Sequence, residues 1–362
     1  MNRTSDILII GGGIIGLAIA VELQQRGQKV TVLSRSFKEA AGLAAAGMLA
    51  PQAEQIPAGP FLEIALRSRA LYPDWIAHLE ALTELEAGYY PCGILAPVFQ
   101  ELAPKAAVGP PAQWLDDIAI RQAQPGLGPE VAGGWWYPQD GQVDNRQLMK
   151  VLQTAAQRLG VNLLEGVTAV SLIQQEDQLQ GVQTSAGRFS AQQYILATGA
   201  WSQELLPLPV LPVKGQMLSL EMPARAGQPW PLQRVLFGPS TYLVPRRQGQ
   251  LIIGATVETV DWQPHNTPLG VQTLLERAIK LYPPLAHWAI AELWWGFRPG
   301  TPDQEPLLGQ SPWQNLMLAI GHYRNGILLA PVTAQLIAAE LESPAENPLI
   351  KPFSYQRFLP CS

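Results

Sequence analysis

The sequence predicts an α+β protein in which a Rossmann-like domain is joined to a domain of mainly antiparallel β-sheet. Two observations carry that expectation. Residues 6–23 read as a strand, Asp6-Ile-Leu-Ile-Ile10, then a glycine loop, Gly11-Gly-Gly13-Ile-Ile-Gly16, then an apolar helix start, Leu17-Ala-Ile-Ala-Val-Glu-Leu23. Between residues 211 and 300 the pattern changes to short alternating segments broken by Gly and Pro, the signature of hairpins.

The loop spacing is G-x-G-x-x-G, a dinucleotide-binding fingerprint, and strand and helix flank it as the fingerprint requires. Gly11 permits the tight turn, Gly13 lets the backbone approach a pyrophosphate, and Gly16 lets helix and strand pack closely. The free amides at the helix start then face the phosphates.

The remaining elements follow in order. A strand at Lys29-Val-Thr-Val-Leu33 completes the first βαβ unit, with its helix near 14–26. The stretch from Ala40 to Met48 has almost no side-chain bulk, so a backbone there can press against a ligand; Ala41, Gly42, Ala46, Gly47 and Met48 are candidates for that contact. Residues 61–84 have helical spacing, 91–138 read as irregular or edge structure, and 146–159 read as a helix. Strands are expected near 161–173 and 180–184. The run Gln193-Tyr-Ile-Leu-Ala-Thr-Gly-Ala-Trp-Ser202 reads as a buried strand ending in a turn at Gly199. Tyr242-Leu-Val-Pro-Arg246 and Leu251-Ile-Ile-Gly254 suggest a hairpin, 270–281 a helix, and Trp294-Trp-Gly-Phe-Arg298 a strand returning toward the first domain. Leu316–Ile320 is a further strand, and it feeds Gly321-His-Tyr-Arg-Asn-Gly326 and an apolar helix to about 341. The Rossmann-like domain is expected from 1–85, 139–210 and 300–362, and the sheet domain from 86–138 and 211–299.

Composition excludes several classes. With 362 residues, 47% hydrophobic and 15% charged, the chain can bury a large core and is not disordered. A net charge of −5 offers no basic surface for nucleic acid. Two cysteines, Cys92 and Cys361, cannot build a disulfide framework. His78, His265, His287 and His322 have no metal-ligand spacing, so no metal is expected. No apolar run reaches membrane-spanning length without interruption, and cleavage after the N-terminal apolar run would destroy the glycine loop. The expected setting is cytoplasmic and soluble.

The identity of the dinucleotide is less direct. An acidic residue normally ends the second strand and binds the ribose. Ser34 and Arg35 stand there instead, and taken alone they fit the 2′-phosphate of NADP. Ile195-Leu-Ala-Thr-Gly-Ala-Trp201 and Gly321–Gly326 make sense around a flavin, which weighs toward FAD.

Taken together, the chain resembles the D-amino-acid oxidase superfamily of FAD amine oxidases, and within it the glycine oxidases of thiamine biosynthesis. The resemblance covers nearly the whole chain. It rests on Ile9–Gly16, Ala44–Met48, Leu196–Ser202, Leu211-Pro-Val-Lys-Gly-Gln216, Tyr242–Arg246, Gly254-Ala-Thr256, Gly296-Phe-Arg-Pro-Gly-Thr301 and Gly321–Pro331. It implies non-covalent FAD held by Ile14, Ile15, Ala46, Gly47 and Met48, with Val170 near the adenine. The backbone of His322, Tyr323, Arg324, Asn325, Gly326, Ile327 and Leu328 would reach the flavin ring. Arg298 matches the arginine that grips a substrate carboxylate, Tyr242 a tyrosine supporting it, and Arg324 a position whose main chain holds the amine. The implied reaction is oxidation of glycine, another small amine or a D-amino acid at the α-carbon. Oxygen would accept the electrons, giving hydrogen peroxide, and the imine would hydrolyse to glyoxylate and ammonia or enter thiazole synthesis. A quinone-linked D-amino-acid dehydrogenase and a sarcosine or D-proline oxidase are the alternatives. A homo-oligomer, tetramer or dimer, is also implied.

Overall fold

The structure is a computed structural model, and it describes residues 3–100, 112–224, 227–343 and 347–359. Cys361 lies outside the described residues. Two large sheets organise the chain, and each has eight strands.

The first sheet runs in the order Leu307–Gln310, Leu316–Ile320, Gly187–Leu196, Arg3–Ile10, Val30–Ser34, Asn162–Glu165. The pairings from Leu316–Ile320 through to Asn162–Glu165 are all parallel. Strands Gln178–Thr184 and Ala169–Gln175 extend it from the side as an antiparallel pair. Its central strands are apolar on both faces: every residue of Val30–Ser34 and of Leu316–Ile320 is buried, as a parallel sheet covered on both sides demands. Helix Ile14–Gln25 packs against helix Gly326–Glu342, and both are buried nearly all round. Helix Pro60–Thr83 lies on the second of these. Its Ser68 hydroxyl donates to the carbonyl of Leu328 at 2.6 Å, and its Tyr72 hydroxyl donates to that of Ile327. These contacts fix the start of the last helix.

The second sheet runs Ala289–Gly300, Leu211–Glu221, Gln250–Gly254, Tyr242–Pro245, Val235–Phe237, Ile94–Phe99, Val131–Tyr137, Gln113–Asp116. All its pairings are antiparallel except Val235–Phe237 with Ile94–Phe99. The expected hairpin is present, with Leu243 opposite Ile253. Within 91–138, expected to be irregular or edge structure, three strands and the helix Asp117–Ala123 form one flank of this sheet. Glycines hid the Val131–Tyr137 strand by lowering its apparent β-propensity. They are there because neighbours come close: a β-carbon at Gly134 would lie 2.6 Å from the Ala96 carbonyl oxygen. The expected strand at 161–173 divides into Asn162–Glu165 and Ala169–Gln175.

Among the described residues, no helix is long and apolar enough to cross a membrane, and no three His, Cys, Asp or Glu side chains group as a metal site.

Candidate active site

A cavity of about 780 Å³ lies where the two sheets meet. Both glycine turns of the first sheet open into it. Gly11, at φ +118°, would drive a β-carbon to 2.3 Å from the Ala197 carbonyl oxygen, and a β-carbon on Gly16 would strike the Gly11 oxygen at 2.0 Å. Both glycines are therefore packing requirements. Gly13 differs, since nothing lies within 4 Å of its would-be β-carbon and it lines the cavity. As N-cap of helix Ile14–Gln25 it offers no capping side chain, and the helix has no acidic residue in its first turn. Its free amides and positive dipole face an open slot, as a pyrophosphate requires.

A second uncapped helix start faces the same cavity. Helix Gly326–Glu342 has no side-chain cap and no acidic first turn, and Gly326 and Ile327 line the space. Gly321 (φ +74°) and Tyr323 (φ +46°) bend the chain into position, and the Tyr323 amide donates to the Pro299 carbonyl at 3.0 Å. His322 is buried beside Thr333, with Nε2 and Oγ1 3.1 Å apart. Burial pushes its imidazole down to about 3, so it is neutral at pH 7.

Most of the expected cofactor residues line this cavity: Gly11, Gly13, Ile14 and Ile15 at the loop; Ser34 and Arg35 at the second strand; Ala41, Gly42, Ala46, Gly47 and Met48 along the small-residue stretch; Gly199, His322, Tyr323, Arg324, Gly326 and Ile327 beyond. Gly16, Asn325 and Leu328 stand behind the wall. Val170 is 58% exposed and does not line the cavity: it sits at a bulge, where Ser171 and Ala169 pair with the consecutive residues Gln183 and Thr184, and Val167, Thr168 and Ala169 line the wall there. Arg35 is already engaged, paired with Glu39 at 2.6 Å and lying over the Trp201 ring at 4.7 Å.

The second sheet supplies the polar end. Arg298, on Ala289–Gly300, sits opposite Val213, and its Nη1 donates to the carbonyls of Lys214 at 3.3 Å and Thr256 at 3.2 Å. No carboxylate of the described residues lies within ion-pair distance of it, so its charge is available to an anion. Tyr242 stands beside it, with its hydroxyl donating to Met217 Sδ at 3.3 Å. Burial pushes the Tyr242 phenol up, and the Arg298 cation pulls against that. Arg324 is half-exposed and faces Glu54 at 3.5 Å.

Sequence reasoning missed three contributors. Arg246 stands in the sequence only as the end of the Tyr242–Arg246 segment. Buried, it donates to Ala46 O and Asn145 Oδ1 at 2.9 Å and to Gln142 Oε1 at 2.7 Å, tying the small-residue wall to the neighbouring loop. Asp140 is buried and pushed up to about 6 by that burial, against the pull of the Ala53 amide and of Arg69. It accepts from the Gln52 amide at 3.2 Å and the Ala53 amide at 2.8 Å, and it pairs with Arg69. Glu54, on the same turn, lines the cavity. No spacing in the sequence marks any of them, because their partners are distant in the chain.

Comparison with known proteins settles the family. The model of the FAD dependent oxidoreductase family (DAO) matches residues 6–340. The chain belongs to that family. Its members' cofactor suits the cavity: two uncapped helix starts and an open slot at Gly13 match a long anionic dinucleotide. Among curated relatives of this DAO chain, the bifunctional protein ThiO/ThiG of a Synechocystis species is 62% identical over 99% of this chain and 55% of that protein. This chain thus spans about half the length of the bifunctional relatives it matches. A glycine oxidase from Geobacillus kaustophilus is 34% identical over 99% of this chain and 98% of its own. The crystal structure of the glycine oxidase from that organism superposes with a TM-score of 0.91 at 32% identity, covering 99% of this chain and all of that one. An iminodiacetate oxidase from a Chelativorans species matches with a TM-score of 0.85 at 26% identity, over 96% and 98% of the two chains.

Proposed function

We propose that this chain is an FAD-dependent glycine oxidase whose product serves thiazole synthesis in thiamine biosynthesis. The observation that carries the reading is Arg298: a cation without an ion-pair partner among the described residues, beside Tyr242, in a cavity that two uncapped helix N-termini also line. The glycine oxidase and ThiO/ThiG relatives support the choice of substrate and pathway.

Arg298 presents a planar fork to the substrate carboxylate, and Tyr242 offers its hydroxyl to the same group. Fixing the carboxylate leaves the α-carbon little freedom, which is the main catalytic service the protein gives. Gly13 and the first helix would hold the pyrophosphate of FAD, and the start of helix Gly326–Glu342 would offer positive potential to the anionic cofactor. FAD, when bound, supplies the acceptor for the two electrons of the substrate's C–H bond. No carbon base is required of the chain. The amine must be neutral to form the imine, so turnover rises with pH over the range in which glycine's ammonium loses its proton.

Anaerobic titration of the yellow protein tests the reading. Glycine should bleach the flavin absorbance more readily than D-alanine, sarcosine or D-proline, and air should restore the colour with release of peroxide. A flavin that no amine bleaches would overturn the proposal. Bleaching without peroxide on reoxidation would point to a quinone-linked dehydrogenase.

A further inference from the structure

Glu54 is a buried carboxylate for which the reaction as described has no use. Its side chain is 7% exposed, its Oε2 accepts no hydrogen bond, and it pairs loosely with Arg324 Nη2 at 3.5 Å. Buried carboxylates normally collect donors, because an unmet one is costly. This one faces the cavity instead. Its turn is held by the Asp140 contacts to the Gln52 and Ala53 amides, so the exposure to the cavity is fixed by the fold.

The other acids on the cavity wall are spent or remote. Glu39 is held by Arg35, and Glu258 takes Thr256, Gln216 and Lys214. Glu204 is exposed. Glu54 alone among them is both buried and short of donors; burial pushes its carboxyl up, Arg324 and Arg298 pull it back toward the charged form, and Tyr242 lies within electrostatic reach. A primary ammonium carries three donors and one positive charge, which is what such a carboxylate lacks.

We propose that Glu54 binds the ammonium end of the incoming amino acid, so that with Arg298 it makes the pocket a receptor for a zwitterion and rejects ligands that are only anionic. The proposal rests on the reading that Arg298 takes the substrate carboxylate. It has a consequence for selectivity: a second acid group near the amine, as in iminodiacetate, meets Glu54 and is repelled.

Two ligands of the holoenzyme separate this from a structural role: glycine, by its anaerobic dissociation constant, and acetate, by competitive inhibition. In the wild type, acetate should bind at least tenfold more weakly than glycine. Equal or tighter acetate binding would overturn the proposal without recourse to any variant. In Glu54→Gln, glycine should bind at least tenfold more weakly and acetate at least threefold more tightly. Both ligands moving in one direction, or neither moving, would also overturn it. Arg298→Ala should abolish acetate inhibition; inhibition that survives there would place the fault in the carboxylate anchor, and the proposal would fall with it.

Discussion

Gly215 lies directly beneath the Arg298 guanidinium: a β-carbon added to it would sit 2.4 Å from both terminal nitrogens. The two strands that carry these residues pair along most of their length, so the backbone cannot move aside. The cation proposed to bind substrate thus rests on bare main chain. Gly215→Ala should displace a flexible side-chain end and little else, with thermal stability nearly unchanged. The glycine KM should rise by about tenfold or more, a loss of ~1.4 kcal/mol in binding. A KM equal to wild type would show that the fork tolerates the shift.

Removing the fork itself is harsher. Arg298→Ala loses two charge-assisted hydrogen bonds to the carboxylate, costing roughly 3–5 kcal/mol, or about 10²- to 10⁴-fold in kcat/KM. The protein should remain yellow, because Arg298 is at the opposite end of the cavity's chemistry from Gly13. Steady-state kinetics with glycine, paired with a visible spectrum, checks both halves.

Gly13 and Gly16 should respond differently to alanine. At Gly13 the methyl enters open space in the cavity, so the apoprotein should fold with an unchanged melting temperature while FAD affinity falls at least tenfold. At Gly16 the methyl collides with the Gly11 carbonyl, and the apoprotein itself should be destabilised. Calorimetry of both apoproteins, with flavin fluorescence titration, distinguishes a ligand-facing glycine from a packing one.

Arg69 compensates a buried acid. Arg69→Met should leave buried Asp140 with two backbone amides but no cation, and should cut the tie to Gln52 on the turn that carries Glu54, destabilising the fold by about 3 kcal/mol in urea denaturation. Asp140→Asn in that background should recover part of the loss, since it removes the stranded charge.

His322 confers an acid sensitivity whose sign is fixed. Its imidazole titrates near 6.5 in an unfolded chain and at about 3 when folded. Between those values the unfolded chain holds a proton that the folded one lacks. Stability is therefore full above pH 6.5 and falls as pH drops through the window, by ~1.4 kcal/mol per unit. From pH 7 to pH 5 the wild type should lose about 2 kcal/mol more than His322→Gln, which keeps a partner for Thr333. Equal losses in urea titrations would exclude the histidine.

Much of the framework could be read from local pattern. The first βαβ unit, the 242–254 hairpin and the last helix follow from periodicity and glycine placement within short windows of chain. The flank at 91–138 was less visible, because Gly133 and Gly134 answer to neighbours across the sheet and not to their own strand. Arg298 and Tyr242 carried no local signal and were reached through family resemblance. Glu54, Asp140 and Arg246 stayed hidden for one physical reason: a lone charge becomes informative only when folding decides what surrounds it. The exposure of Val170 comes from a bulge in its strand, an irregularity that no local pattern marks.

The start of helix Gly326–Glu342 is held by Ser68 and Tyr72, and it closes a pocket that opens at Gly11. A nascent chain therefore cannot finish the chamber until residues 321–327 have been synthesised. Colour in the isolated protein is in that sense a report that two segments distant in sequence, at Gly11 and at Gly326, have met.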